Sequence, residues 1–193
     1  MTIQKKIRCK WVTDDPEYIA YHDKEWGVPV YNDQVLFEFI ILEGMQAGLN
    51  WLTILKKREN YRKCLNKFDA KKIVKYDKRK IDELLNNPGI IRNKLKIHSI
   101  ITNADAFLET VNEYGSFSEY IWQFSNEKPL QNHWKNHNQV PDHTPLSDKM
   151  SKDLKKRGFK FIGSTICYAF IQAVGIVNDH TTTCFRHKQI AKK

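Results

Sequence analysis

One carboxylate, that of Glu43, stands where the helical pattern of this chain calls for an apolar side chain. Residues 33–48 read DQVLFEFIILEGMQAG, and one helical face carries Leu36, Phe39, Ile40, Glu43 and Ala47. A buried carboxylate must be paired, neutralised or held for a cation, because an isolated buried charge costs too much free energy. The fold therefore has to build a specific environment around Glu43.

The composition indicates a globular intracellular chain with a polyanionic partner. Of 193 residues, 41% are hydrophobic and 12% aromatic, enough for one well-buried domain spanning residues 1–193 or for two small lobes that share a core. The formal net charge of +10 favours nucleic acid as partner, although a solvated basic surface would give the same count. The start MTIQKKIRCKW has no apolar signal core, and no apolar run could span a bilayer. We therefore expect a protein without membrane contact that is cytoplasmic, or nuclear in a eukaryote.

Helical patterns cover almost the whole chain and predict an all-α fold. The predicted helices are 16–24, 33–48, 51–60, 69–75, 78–86, 91–113, 117–124, 147–157 and 163–175. Asp15 and Pro16 form a typical helix start, a capping side chain followed by a first-turn proline. Residues 126–145 have low apolar content and predict a long loop, and no segment shows the alternation of a strand.

Two Cys/His pairs at opposite ends of the chain are candidate metal ligands. Cys9 and His22 lie near the start, and His180 and Cys184, four residues apart, lie near the end. Two thiolates and two imidazoles with no open position would make a closed structural zinc site that joins the chain ends. Neither pair is a CxxC motif, so two unrelated cysteines and two ordinary histidines remain an alternative.

A group of aromatic residues is expected to lie close to the Glu43 helix. It comprises Trp11, Tyr18, Tyr21, Trp26 and Trp51. Aromatic residues at helical spacing are usually plain core. A carboxylate among polar-tipped rings would, however, also suit a cationic aromatic ligand, through Coulomb attraction, cation–π contact and stacking.

Residues 84–94, LLNNPGIIRNK, predict two helices joined by a tight Pro88-Gly89 turn. This is the layout of a helix–hairpin–helix, in which backbone amides at the turn and at the second helix start bind a DNA phosphate. Arg92, Lys94 and Lys96 would reinforce that contact, and the basic runs at 56–58 and 155–157, with Lys160, could line a separate phosphate track. An ordinary helical hairpin with solvated basic faces is the alternative.

Several of these segments together resemble bacterial 3-methyladenine DNA glycosylase I. The resemblance extends from Cys9 to Cys184 and is carried by RCKWVTDDPEYIAYHDKEWGVPVYND, LFEFIILEGMQAGLNWLTILKKRENYR, PGIIRNKLKI, SKDLKKRGFKFIGSTICYAFIQAVG and VNDHTTTC. It implies a helix–hairpin–helix glycosylase fold, with the hairpin near residues 79–112. It also implies a monomeric base-excision repair enzyme that hydrolyses the N-glycosidic bond of 3-methyladenine in double-stranded alkylated DNA.

The resemblance assigns roles to residues already singled out. Glu43 matches the pocket glutamate, and the five aromatic residues match the rings that contact the base. The two Cys/His pairs match the ligands of one structural zinc per chain. Pro88, Gly89, Arg92 and Lys94 fall in the DNA-binding hairpin.

Two positions depart from related hairpin glycosylases that also cleave the DNA strand. Asn93 stands where those enzymes carry a Schiff-base lysine, with Lys94 beside it, and Asp105 lies inside a helical pattern rather than in a loop. We therefore expect a glycosylase without lyase activity. A non-catalytic DNA-binding module is an alternative that leaves Glu43 unexplained, and an iron–sulfur lyase would need cysteines more closely spaced than Cys9, Cys64, Cys167 and Cys184.

Overall fold

The computed structural model describes residues 6–191 and confirms the all-α fold class. Residues 1–5 and 192–193, which the sequence analysis counted within the single domain, lie outside the described part. The helices are α1 (Pro16–Lys24), α2 (Asp33–Gln46), α3 (Trp51–Leu55), α4 (Arg58–Cys64), α5 (Ala70–Ile73), α6 (Lys78–Asn86), α7 (Lys94–Tyr114), α8 (Phe117–Trp122), α9 (Pro145–Lys156), α10 (Ser164–Ala173) and α11 (Phe185–Ile190).

Several predicted boundaries differ from the observed ones for local reasons. The helix expected over 51–60 is two helices, α3 and α4, separated at Lys56 and Lys57. The helix expected from residue 91 begins at Lys94, because the Asn93 side chain caps it by accepting a hydrogen bond from the amide of Lys96. Helix α11 was not predicted at all.

The predicted loop 126–145 contains short regular elements. They were not predicted because their sequence shows no alternation typical of a strand. Strand β1 (Leu130–Gln131) pairs in parallel with β2 (Val177–Asn178), and His137–Gln139 forms a 3-10 turn. Two residues per strand are too few to show a periodic pattern. The pairing fixes the long loop beside the chain segment that precedes His180.

Helix α2 is the centre of the molecule and is buried on every side rather than along one stripe. Each of the residues from Leu36 to Met45 is buried, Glu38 and Glu43 included. Helices α3, α7, α8 and α10 pack around it. A helix enclosed on all faces is expected to be apolar throughout, so its two carboxylates need separate explanations. That of Glu38 is paired with Arg58 and Arg62.

A close backbone approach holds the turn after α1 against the end of α10. The amide of Gly27 donates to the carbonyl of Gln172 at 3.0 Å, and that of Val30 donates to Val174 at 3.0 Å. Gly175 has φ +75°, and a Cβ there would lie 2.3 Å from the carbonyl carbon of Val28. Only glycine permits this contact, which fixes the position of Trp26.

None of the helices between residues 6 and 191 combines the length and the apolar character needed to cross a bilayer.

Candidate functional site

A cavity of about 190 Å³ lies between the N-terminal segment, α2, α3, α10 and the loop 126–145. Its walls include Glu43 and all five aromatic residues singled out in the sequence, and the remaining lining residues are Cys9, Gln46, His137, Val140, Ala169, Gln172, Asp179 and Thr181. The structure therefore brings Glu43 and its expected aromatic neighbours to one pocket.

Glu43 is the chemically unusual group of this pocket. Its side chain is 2% exposed, and its Oε2 atom has no hydrogen-bond partner among the described residues. Burial alone raises the pKa of Glu43 to about 8. An orphaned carboxyl oxygen in a cavity is a group awaiting a donor or a cation, since leaving it unpaired costs stability.

The aromatic rings form a continuous wall around Glu43. Trp11 contacts Tyr18 with a centroid distance of 4.9 Å and Trp26 at 5.0 Å, while Tyr21 and Trp51 lie 5.3 Å apart. The Trp51 Nε1 atom is a second buried group without a partner in the described chain. A planar ligand between these rings would be offered both an acceptor and a donor.

Behind Trp51, a further ring and a cation support the pocket wall. The rings of Phe39 and Trp51 are nearly parallel, with a centroid distance of 6.5 Å and an interplanar angle of 19°. The guanidinium of Arg58 lies 5.0 Å from the centroid of the Phe39 ring. Arg58 also pairs with Glu25 at 2.6 Å. These contacts fix the Trp51 ring from the side that faces away from the cavity.

Asp179 forms part of the opposite wall, and the sequence analysis missed it. The side chain is 2% exposed, and its two oxygens accept hydrogen bonds of 2.5–2.8 Å from Asn132, Trp134, Tyr168 and Gln172. These four donors occupy both oxygens of Asp179 and hold the side chain in place. The signal in the sequence was its place in VNDHTTTC, directly before His180.

The loop 126–145 supplies the other residues that sequence reasoning passed over. Asn132 and Trp134 anchor the loop to Asp179, and His137 and Val140 then reach the cavity. His137 had shown no partner pattern in the sequence. Its position depends on the β1–β2 pairing, which is a long-range contact that local spacing does not reveal.

The two Cys/His pairs converge on one buried cluster. The ligand atoms of Cys9, His22, His180 and Cys184 all lie within 4.8 Å of one another. Three sulfur–nitrogen separations are 3.5 Å, the separation that about 2.3 Å Zn–S and 2.0–2.1 Å Zn–N bonds at tetrahedral angles would give. The residues therefore fit a tetrahedral metal ion.

The ring nitrogens that face away from this cluster are both held. His22 Nδ1 donates to Asp23 at 2.8 Å, and Asp23 in turn accepts from Arg8. His180 Nε2 donates to the carbonyl of Trp26 at 3.1 Å. Such outer contacts orient metal-binding imidazoles. They also connect the cluster to the pocket, because Trp26 belongs to both.

The helical hairpin α6–α7 has amides at the second helix start that are not used internally. The Gly89 amide donates to Asn87 Oδ1 at 2.8 Å, and the Ile91 amide donates to the Tyr61 hydroxyl at 3.0 Å. In the described chain, the amides of residues 92–95 have no such acceptor. Phosphate contacts are therefore better placed at 92–95 than at Gly89.

An open cleft of about 600 Å³ adjoins the hairpin. Pro88 and Arg92 line it together with Lys57, whose Nζ donates to the Pro88 carbonyl at 3.1 Å. Lys94 is exposed on the first turn of α7. The expectation that Lys96 also contacts the phosphate is wrong, because its side chain is buried and its Nζ donates to the carbonyls of Met45 and Ala47. The site thus combines free amides with cations.

The basic runs contribute less than their sequence suggests. Lys56 pairs with Asp15 at 2.7 Å, Arg58 is buried in its ion pairs, and Arg157 pairs with Asp153 and Glu113. Arg58 is therefore not available to a phosphate track, whereas Lys57 lies at the hairpin and Lys155 and Lys156 are exposed on α9.

Comparisons with known proteins agree on one family. A family model for methyladenine glycosylase matches residues 11–187. The DNA-3-methyladenine glycosylase 1 of Escherichia coli K12 is 50% identical over 177 residues, which are 92% of this chain and 95% of that protein. A crystal structure of 3-methyladenine DNA glycosylase I matches with a TM-score of 0.92 and 51% identity, covering 94% of this chain and 100% of the other.

A second solved structure carries a ligand. It is a tyrosine-to-phenylalanine variant of 3-methyladenine DNA glycosylase I in complex with 3-methyladenine. The match has a TM-score of 0.90 and 34% identity over 93% of this chain and 97% of the other.

Proposed function

The chain belongs to the methyladenine glycosylase family, and we propose that it removes 3-methyladenine from alkylated double-stranded DNA through the pocket around Glu43. The observation that carries this proposal is the unpartnered Oε2 of a buried Glu43 inside an aromatic cavity of about 190 Å³. A non-catalytic DNA-binding module has no use for such a group. The reaction is hydrolysis of the bond between the base and its sugar.

The chemistry of the lesion explains why a carboxylate and rings suffice. A methyl group on N3 gives the nucleobase in DNA a positive charge, so it is already a good leaving group. The enzyme must extrude the nucleotide from the duplex, which costs a few kcal/mol. Binding in the pocket has to recover that cost for the damaged base and not for normal adenine.

Glu43 and Trp51 divide the recognition of the base. The Glu43 carboxylate accepts a hydrogen bond from an N–H of the base and attracts its positive charge. Both interactions increase the difference in binding free energy between methylated and normal adenine. Trp51 stacks on the base. Its free Nε1–H lies in the plane of the ring, so it is available to an acceptor beside the base rather than to the stacked base itself. Trp11, Tyr18, Tyr21 and Trp26 enclose the remaining edges and exclude water.

Glu43 changes its protonation when a cationic base arrives. In the empty pocket burial raises its pKa to about 8, so the neutral carboxyl predominates at pH 7. A positive charge in contact with the carboxyl lowers that pKa and favours the carboxylate. Binding of the cationic base near pH 7 therefore releases a proton from Glu43, which neutral adenine would not cause.

The reaction ends with an intact abasic site. Asn93 is the N-cap of α7 and cannot act as an amine nucleophile. Lys94 is exposed and Asp105 is exposed on α7, and neither belongs to the cavity lining. Water attacks the sugar carbon as the glycosidic bond opens, without a covalent enzyme–DNA adduct.

The metal cluster holds a structural zinc ion. Two cysteines and two histidines form a closed donor set with no position left for substrate. The ion would fix the two chain ends to each other and, through His180 and the Trp26 carbonyl, one wall of the pocket. It supplies no step of the reaction.

The hairpin binds the DNA backbone while the pocket holds the base. The free amides of residues 92–95, with Arg92, Lys94 and Lys57 nearby, would bind one phosphate. Pro88 and Gly89 shape the turn that presents them.

Base release from methylated DNA tests the proposal directly. The protein is incubated with methylated duplex and the freed bases are separated by chromatography. We expect 3-methyladenine in the soluble fraction and no adenine. Binding of the duplex without release of any base would instead favour the non-catalytic module.

A further inference from the structure

Lys96 joins the DNA-binding hairpin to the end of the Glu43 helix. It lies in the first turn of α7 and is 6% exposed. Its Nζ donates to the carbonyl of Met45 at 2.8 Å and to that of Ala47 at 2.6 Å. A buried lysine with two backbone acceptors needs a reason, because its burial is costly.

The two acceptors of Lys96 flank a residue of the pocket. Gln46 lies between Met45 and Ala47 in the chain and lines the cavity with Glu43, three residues earlier on the same helix face. Carbonyls at a helix end have no partners within the helix, and the last turn of α2 contains no basic residue of its own. Lys96 supplies both the donors and the positive charge from another element.

The backbone of Lys96 is also hydrogen-bonded, within the first turn of the second hairpin helix. Its amide donates to Asn93 Oδ1 at 3.1 Å, and its carbonyl accepts from Ser99 Oγ at 2.7 Å. The capped turn that presents the free amides of residues 92–95 therefore also carries the side chain that holds the Gln46 segment.

We propose that Lys96 is a positioning residue that sets the Gln46–Gly48 end of the Glu43 helix against the DNA-binding turn, so that a phosphate on the hairpin and a base in the pocket are held at a fixed separation. The inference rests on the proposed function for its catalytic consequence. Its structural part, the control of residues 46–48 by Lys96, does not.

Lys96→Met separates positioning from binding, because it keeps the chain length and apolar stem and removes the three donors. We expect affinity for an abasic duplex and affinity for free 3-methyladenine each to stay within about fivefold, while the single-turnover rate of base release falls about tenfold or more. Lys152→Met, at an exposed lysine on α9, serves as control and should leave all three unchanged.

Amide hydrogen exchange provides a readout that does not depend on the reaction. Lys96→Met should speed exchange at residues 46–49 and leave the middle of α7 protected. Unchanged exchange there would overturn the proposal, as would a wild-type rate of base release. An equal loss of duplex binding, base binding and rate together with a lowered melting temperature would assign Lys96 a general structural role and also overturn it. If wild type releases no base, the proposed function fails, while the exchange result still decides the role of Lys96.

Discussion

At the scale of single residues, the pocket is defined by two buried polar groups that the fold leaves unpaired. Glu43 Oε2 and Trp51 Nε1 have no partners among the described residues, whereas the equally buried Asp179 accepts four hydrogen bonds. Core packing alone would not place an unpaired acceptor and an unpaired donor beside one cavity, because each unpaired buried group lowers the stability of the folded protein. Their unused hydrogen-bonding capacity is therefore available to a ligand.

The orphaned carboxyl predicts a pH-dependent stability. Its pKa is raised from 4.5 to about 8 on folding, so the folded state holds the proton more tightly than the unfolded state. The contribution of Glu43 to the free energy of unfolding is fully present below pH 4.5. It is lost as the pH rises toward 8, by a few kcal/mol in total. Glu43→Gln should remove this decline.

Urea unfolding of wild type and Glu43→Gln at pH 5 and pH 8 measures it. The difference between the two proteins isolates Glu43 from every other titrating group. The variant should gain stability relative to wild type at pH 8. A stability difference that does not change with pH would show that Glu43 is not the group whose ionisation opposes folding.

Substitution of Trp51 is expected to weaken binding of the base independently of Glu43. Trp51→Ala should weaken the binding of free 3-methyladenine by about 1–3 kcal/mol, because a stacked base loses its aromatic partner. Trp51→Phe keeps the ring and removes Nε1–H, so it should retain the larger part of the affinity. Calorimetric titration with the free base distinguishes them, and equal affinities for wild type and Trp51→Ala would remove Trp51 from the site.

At the scale of elements, sequence patterns predicted what is local and missed what is long-range. Helix α6 was predicted with its observed bounds because Asp77 caps it and Asn87-Pro88-Gly89 ends it. The strands β1 and β2 are two residues each and become visible only when residues 130 and 177 meet. The same contact brings His137 to the pocket, which is why sequence reasoning left that residue without a role.

The turn of the hairpin predicts a salt-sensitive contact centred on Lys94 and Arg92. Lys94→Ala should lower duplex affinity and reduce the slope of log affinity against log salt by about one, since one phosphate contact releases about one counterion. Affinity for free 3-methyladenine should not change. An unaltered salt slope would place the phosphate elsewhere.

The close contact between the turn after α1 and the end of α10 predicts a large loss of stability when a methyl group is added at Gly175. Gly175→Ala should destabilise the protein by about 2 kcal/mol or more, because the new Cβ meets the backbone of Val28. Gly48→Ala is the matched control, with a similar φ of +78° and open space at its Cβ. Denaturation midpoints compare the two, and equal costs would mean that φ strain alone, not the close approach, requires glycine at 175.

At the scale of the whole molecule, the cluster of Cys9, His22, His180 and Cys184 joins both chain ends and borders the pocket around Glu43. Spacing and residue type made Cys9, His22, His180 and Cys184 candidate ligands, the resemblance assigned them to one site, and the structure brings them together. Their adjacency to the pocket was not predictable, because it depends on Cys9 lining the cavity and on His180 bonding the Trp26 carbonyl. Loss of the metal should therefore affect the pocket as well as stability.

Metal content tests this connection. The purified protein should hold about one zinc ion per chain. Cys184→Ser should lower zinc content and melting temperature and also weaken binding of free 3-methyladenine, although Cys184 does not line the cavity. Cys64→Ser, at a cysteine outside the cluster, should keep its zinc. Wild type purified without chelator and free of zinc would contradict the assignment.

The proposed hydrolysis without lyase activity predicts the product. Borohydride treatment of the protein with abasic duplex should give no covalent adduct, because Asn93, the N-cap of α7, is expected at the position of the Schiff-base lysine of strand-cleaving hairpin glycosylases. A trapped adduct would point to Lys94 and to lyase activity.

The selectivity of Glu43→Gln on duplex DNA tests the central claim most directly, that a buried carboxylate recognises the charge of the methylated base. Single-turnover release of 3-methyladenine from methylated duplex is measured for wild type and variant at one pH. The account predicts a rate loss equivalent to about 1.5–3 kcal/mol for Glu43→Gln, with weaker preference for 3-methyladenine over adenine, because the shape is kept and the charge is lost. Release by Glu43→Gln at the wild-type rate and with unchanged preference would contradict it.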